Sequence, residues 1–111
     1  MIVIDNIENF LKEVSGSYYL FTFKFENPQK NFFVETLSKE FTKNKYTTSN
    51  WDSLIDIMRE FYKSEFQNIV IVVETNNIDS KVFKDFNEVV DFVNEFLKNF
   101  SKKIIFVLKP I

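Results

Sequence analysis

Asp52, Asp56 and Glu60 fall at i, i+4 and i+8 within the stretch Ser49-Asn-Trp-Asp-Ser-Leu-Ile-Asp-Ile-Met-Arg-Glu-Phe-Tyr62. On a helix, that spacing sets three carboxylates along one face. The chain has no histidine and no cysteine, which removes imidazole bases, zinc–thiolate sites, thiol nucleophiles and disulfides. What a row of carboxylates can still do is attract cations. One such cation is the basic surface of another protein, drawn in by electrostatic steering. Another is Mg²⁺ held for phosphate chemistry, but such sites normally work beside a basic or glycine-rich phosphate cradle, and no such loop is visible here. The plainest reading is a solvated helix face, the commonest meaning of a charged stripe.

The element carrying these acids is the best-defined helix of the chain, predicted over Ser49–Tyr62. Trp51, Leu54, Ile55, Met58, Phe61 and Tyr62 share its other face, as an amphipathic helix requires. Trp51 therefore reads as a core anchor. Ser49 and Asp52 have the S-x-x-D spacing of a helix start, with the acid on the positive end of the dipole. Asn50 reads equally as a cap or as a contact. Tyr46 lies in the polar loop that leads in.

Around this helix, strands and helices alternate. Residues 5–14 read as a short helix through Ile4, Ile7, Phe10, Leu11 and Val14, ended by Ser15-Gly16-Ser17. Tyr18–Phe25 alternates as a strand with Phe21, Phe23 and Phe25 on one face. Asn31–Phe41 suits a second helix. The continuous run Ile69-Val70-Ile71-Val72-Val73 marks a strand buried on both faces, as in a parallel sheet. A loop is predicted over Thr75–Asp85, a helix over Asn87–Phe100, and a last strand over Lys103–Leu108, stopped by Pro110. The expectation is an α/β domain spanning residues 1–111, with a small, three-stranded, mostly parallel sheet packed by helices.

Composition narrows the function further. Apolar residues make up 45% of 111 residues, enough for one core and too little chain for two. The net charge of -2 disfavours direct binding of nucleic acid. No apolar stretch approaches membrane-spanning length, and the first residues do not read as a secretory signal. A cytoplasmic location is expected, consistent with the lack of cysteine.

The segment Tyr46-Thr-Thr-Ser-Asn50-Trp51-Asp52-Ser-Leu54-Ile-Asp56 resembles the signature of the barstar family of ribonuclease inhibitors. That signature is an aromatic-containing loop, then Asn-(Trp or Leu)-Asp-Ala-Leu and a second Asp one turn on. The element order around it is similar too, and the likeness spans Tyr18 to Leu108. Residues 1–16 are then an N-terminal helical addition. The resemblance implies a barstar-like fold that plugs the active site of a basic ribonuclease or nuclease toxin. Its acids would stand in for RNA phosphates. Asp52 and Asp56 match the two inhibitory acids, and Tyr46 matches a loop aromatic. Glu95 matches a rim glutamate when Val89-Val90 and Phe92-Val93 are aligned on their family counterparts. Thr47 and Thr48 depart from the pattern, standing where many members have a second aromatic and a glycine.

The chain is thus expected to be an inhibitor or immunity protein and no enzyme, with no cofactor and no metal. Its partner-binding residues would be Tyr46, Asn50, Asp52, Asp56, Glu60 and Glu95. The alternatives are a barstar-like binding module with a non-nuclease partner, and a Mg²⁺-dependent carboxylate phosphohydrolase.

Overall fold

The apolar run at Ile69–Val73 lies at the centre of the sheet, with both of its faces buried. A computed structural model describes residues 1–111. Four strands, β1 (Ile2–Val3), β2 (Tyr18–Lys24), β3 (Asn68–Thr75) and β4 (Lys103–Pro110), form one sheet in the order β1-β4-β3-β2. All neighbours are parallel, in a register that sets Phe21 beside Ile71 and Ile71 beside Phe106. The alternation of β3 sends Ile69, Ile71 and Val73 into the main core and Val70 and Val72 to the opposite face.

The sheet therefore has four strands, where three were expected. Ile2 and Val3 pair with Val107 and Leu108, and the Ile4 N–H donates to the Leu108 carbonyl at 2.9 Å. Two residues are too short to show a period of two, so only the unfilled edge of β4 reveals this strand. β4 also runs through Pro110. The Lys109 and Ile111 positions face β3, with the Ile111 N–H donating to Thr75 at 3.0 Å. The imide nitrogen between them then points away from the ladder, where a proline removes no bond.

Helix α1 (Ile7–Lys12) alone covers one face, with Ile7, Phe10 and Leu11 over Val70, Val72 and Val107. Its start is capped by Asn6, whose side chain accepts from the Asn9 N–H at 3.0 Å. Ile4 precedes this helix and packs beneath it. Helices α2 (Lys30–Phe41), α3 (Trp51–Arg59) and α4 (Lys81–Leu97) cover the other face. Phe33, Leu37, Leu54, Met58, Phe83 and Phe86 are fully buried there. No helix is long and apolar enough to cross a membrane.

Two helix boundaries differ most from expectation. α4 begins at Lys81, because Ser80 caps it and Phe83 and Phe86 extend the buried stripe toward the amino end. α3 ends at Arg59, and Glu60–Lys63 tightens into a 3₁₀ turn. At the α1–β2 junction Gly16 takes φ +94°, a conformation that costs other residues strain. The buried Asn68 amide donates to the carbonyls of Ser15 and Ser17, at 2.8 and 3.0 Å, and fixes that turn.

Candidate protein-binding face

The first turn of α3 is set by Asn50. Its backbone is extended (φ -104°, ψ 129°) and its side chain accepts from the Ser53 N–H at 3.2 Å. The cap is thus Asn50, with Ser49 one residue outside. Trp51 is half-buried between Phe33 and Phe86, with ring centroids 6.2 and 6.3 Å away. Leu54 and Met58 are completely buried. With that stripe facing inward, Asp52, Asp56 and Glu60 are all exposed.

Their electrostatic surroundings are unequal. Asp56 pairs with Arg59 at 3.5 Å. Glu60 pairs with Lys63 at 3.1 Å, and that carboxylate holds the Lys63 ammonium above its usual pKa of 10.5 by hydrogen bond and charge. Asp52 is in no ion pair, since the four pairs of the molecule are Asp56–Arg59, Glu60–Lys63, Asp85–Lys81 and Glu95–Lys98. It shares the positive end of the α3 dipole with no cation.

Asp52 also edges a shallow groove of about 340 Å³ between α3 and α4. Asp85 and Glu88 line it from α4, over an apolar floor of Trp51, Ile55, Val89 and Phe92. Arg59 closes one end of this face by lying over the rings of Phe92 and Phe96, 5.4 and 5.8 Å from their centroids. Its buried Nε has no hydrogen-bond partner within the chain. The acids do not converge: no group of three or more is placed to hold a metal ion.

The loop before α3 is tied down from α2. The buried Ser38 hydroxyl donates to the Glu35 carbonyl at 2.9 Å and accepts from the Thr48 N–H at 3.1 Å. Thr42 Oγ1 accepts from the Tyr46 N–H at 3.0 Å, and Thr48 Oγ1 from the Asn50 N–H at 3.1 Å. Tyr46 itself is exposed. Thr47 and Thr48 avoid the left-handed region, which Lys43 (φ 53°) and Asn44 (φ 65°) adopt instead at the end of α2.

The structure thus places Tyr46, Asn50, Asp52 and Asp56 in one continuous stretch of loop and helix. Glu60 turns away with the 3₁₀ segment, toward a separate cleft beside β2. Glu95 is exposed in the last turns of α4 and paired with Lys98. Asp85, Glu88 and Phe92 are not among the binding residues expected from sequence. Extending the stripe of Val89, Val90 and Val93 back through Phe86 and Phe83 would have shown which α4 residues flank it. Ser38 and Thr42 carry no sequence signal of their loop-pinning role.

Comparison with known proteins gave no matching family, no matching curated protein and no matching solved structure. The likeness to the barstar family rests on the motif and the element order alone.

Proposed function

We propose that this chain is a barstar-like inhibitor or immunity protein, acting in the cytoplasm against a basic ribonuclease or nuclease toxin. The observation that carries this reading is the unpaired Asp52 carboxylate at the start of α3. It is exposed beside a loop held rigid by Ser38 and Thr42, and it is flanked by Asp85 and Glu88. A preset acid of this kind needs no reorganisation to meet an Arg or Lys of a nuclease site. Inhibition would follow from steric plugging and mimicry of phosphate charge, without turnover. Asp56 contributes once Arg59 is drawn off it, and Tyr46 supplies loop contact area.

A related reading, a binding module whose partner is not a nuclease, draws on the apolar floor of the groove. Phe92 is 55% exposed there, and phosphate mimicry does not require such a surface. The Mg²⁺ phosphohydrolase reading has no comparable support, because the acids stand apart.

The test is RNA cleavage by a basic microbial ribonuclease of the kind that barstar-family proteins inhibit. Stoichiometric loss of cleavage on adding the chain supports the proposal, and its weakening by salt would show the electrostatic share. Binding without inhibition would favour the module reading. Saturable hydrolysis by the chain alone, abolished in Asp52→Ala, would contradict both.

A further inference from the structure

The two edges of the sheet are treated differently. At the β4 edge, β1 covers Val107 and Leu108, and the Asn94 side chain takes both backbone groups of Ile104 at 2.8 and 2.9 Å. At the β2 edge nothing pairs. Ser17 C=O and Phe25 N–H bond to β3, so the odd-numbered residues of this parallel ladder face inward. The N–H and C=O groups of Tyr18, Leu20, Thr22 and Lys24 then point outward, unpaired by any strand. β2 carries none of the usual devices that blunt an edge: no proline, no bulge, and one charge, Lys24, at its end.

We infer that this edge is an interface with a second copy of the chain, formed by antiparallel pairing of β2 with β2. The register that pairs all of Tyr18–Lys24 with itself is centred on Phe21. It sets Leu20 opposite Thr22 and Tyr18 opposite Lys24, and all four of these residues have outward-facing backbone groups, so these become the hydrogen-bonded pairs. It also places the Lys24 ammonium beside the Tyr18 ring and keeps the two lysines at opposite ends.

Shape and charge outside the strand argue for a copy of this same chain. Beside the amino half of β2 lies an open cleft of about 790 Å³, with Tyr19, Phe21, Phe41, Phe61 and Phe66 among its walls. Beside the carboxyl end stands Phe32, 61% exposed, its ring 5.9 Å from that of Phe25. Antiparallel pairing brings the Phe32 end of each copy to the cleft end of the other. A two-fold axis therefore seats an aromatic knob in an aromatic hole twice, as an isologous contact requires. The cleft rim carries Glu40, Glu60 and Glu65 against Lys43 and Lys63, and Lys30, in the same first turn as Phe32, has the complementary sign. No residue of this cleft lines the α3–α4 groove, so the inference stands apart from the proposed inhibition.

Sedimentation velocity over the micromolar to submillimolar range tests it, on the wild-type chain and on Thr22→Pro. That proline removes only an outward N–H, so the variant is expected to stay folded by circular dichroism but to sediment as a monomer. In the double variant Leu20→Cys with Thr22→Cys, the only cysteines of the chain would form a disulfide-linked dimer when oxidised glutathione is added as the electron acceptor. Should Thr22→Pro fail to fold, Phe32→Ala replaces it, with dimer dissociation at least about tenfold easier. A wild-type monomer throughout the range overturns the inference. So does a dimer that a folded Thr22→Pro leaves intact, that Phe32→Ala leaves equally tight, or that the cysteine pair cannot cross-link.

Discussion

The two ends of α3 carry the same chemistry under different conditions. At the carboxyl end, Asp56 and Glu60 each have a cation three residues on, and Arg59 is further held by two aromatic rings. At the amino end, Asp52 is in no ion pair, and the other charged residues that line its groove, Asp85 and Glu88, are acids. A stripe that looks uniform at i, i+4 and i+8 is therefore one uncompensated charge followed by two compensated ones. Spacing alone reports which residues share a face. It does not report which of them still has charge to offer a partner.

The contrast between the two ends of α3 depends first on the core beneath them. Leu54 anchors the amino half of α3 and Met58 the carboxyl half, both without exposure. Leu54→Ala and Met58→Ala should each cost about 2–5 kcal/mol of folding stability, read from denaturant midpoints. A cost near zero for either would mean that its half of the helix is not held by the core. Ser38→Ala is expected to cost about 1–3 kcal/mol, because it leaves the Thr48 N–H without its partner. It should also speed hydrogen exchange at Thr48 and Tyr46. Normal protection there would show that the loop is held by something other than α2. Asn50→Ala removes the cap alone and should cost about 1 kcal/mol. Because the loss falls on the first turn, it should loosen Asp52 before Asp56, seen as a larger shift change at the amino end in amide spectra.

Much of the architecture is legible in the sequence, and the places where it is not have physical causes. The buried run of β3 and the amphipathic stripe of α3 announce themselves, since each repeats over many residues. β1 is two residues long, and only its partner strand defines it. The start of α4 was hidden because Asp79-Ser80-Lys81 is polar, as both caps and loops are. The exposure of Asp52 and Asp56 follows from local spacing, whereas the S-x-x-D spacing points to Ser49 for the cap that Asn50 supplies. The role of Ser38 depends on a contact ten residues away, and the groove acids Asp85 and Glu88 depend on how two helices lie together. Neither is written in local periodicity.

The most direct measurement is the binding kinetics of Asp52→Ala and Glu60→Ala, side by side, against a basic ribonuclease of the kind proposed as partner, at low and high salt. Both acids are exposed, so melting curves should stay close to wild type. Asp52→Ala should lose roughly 2–5 kcal/mol of binding, mostly as faster dissociation, because it leaves a buried cation of the partner unpaired. Glu60→Ala, already neutralised by Lys63 and turned toward another cleft, should change only the association rate, and only at low salt. Equal losses for the two variants, or none for Asp52→Ala in a folded protein, would contradict the claim that the unpaired acid at the start of α3 is the centre of the interface.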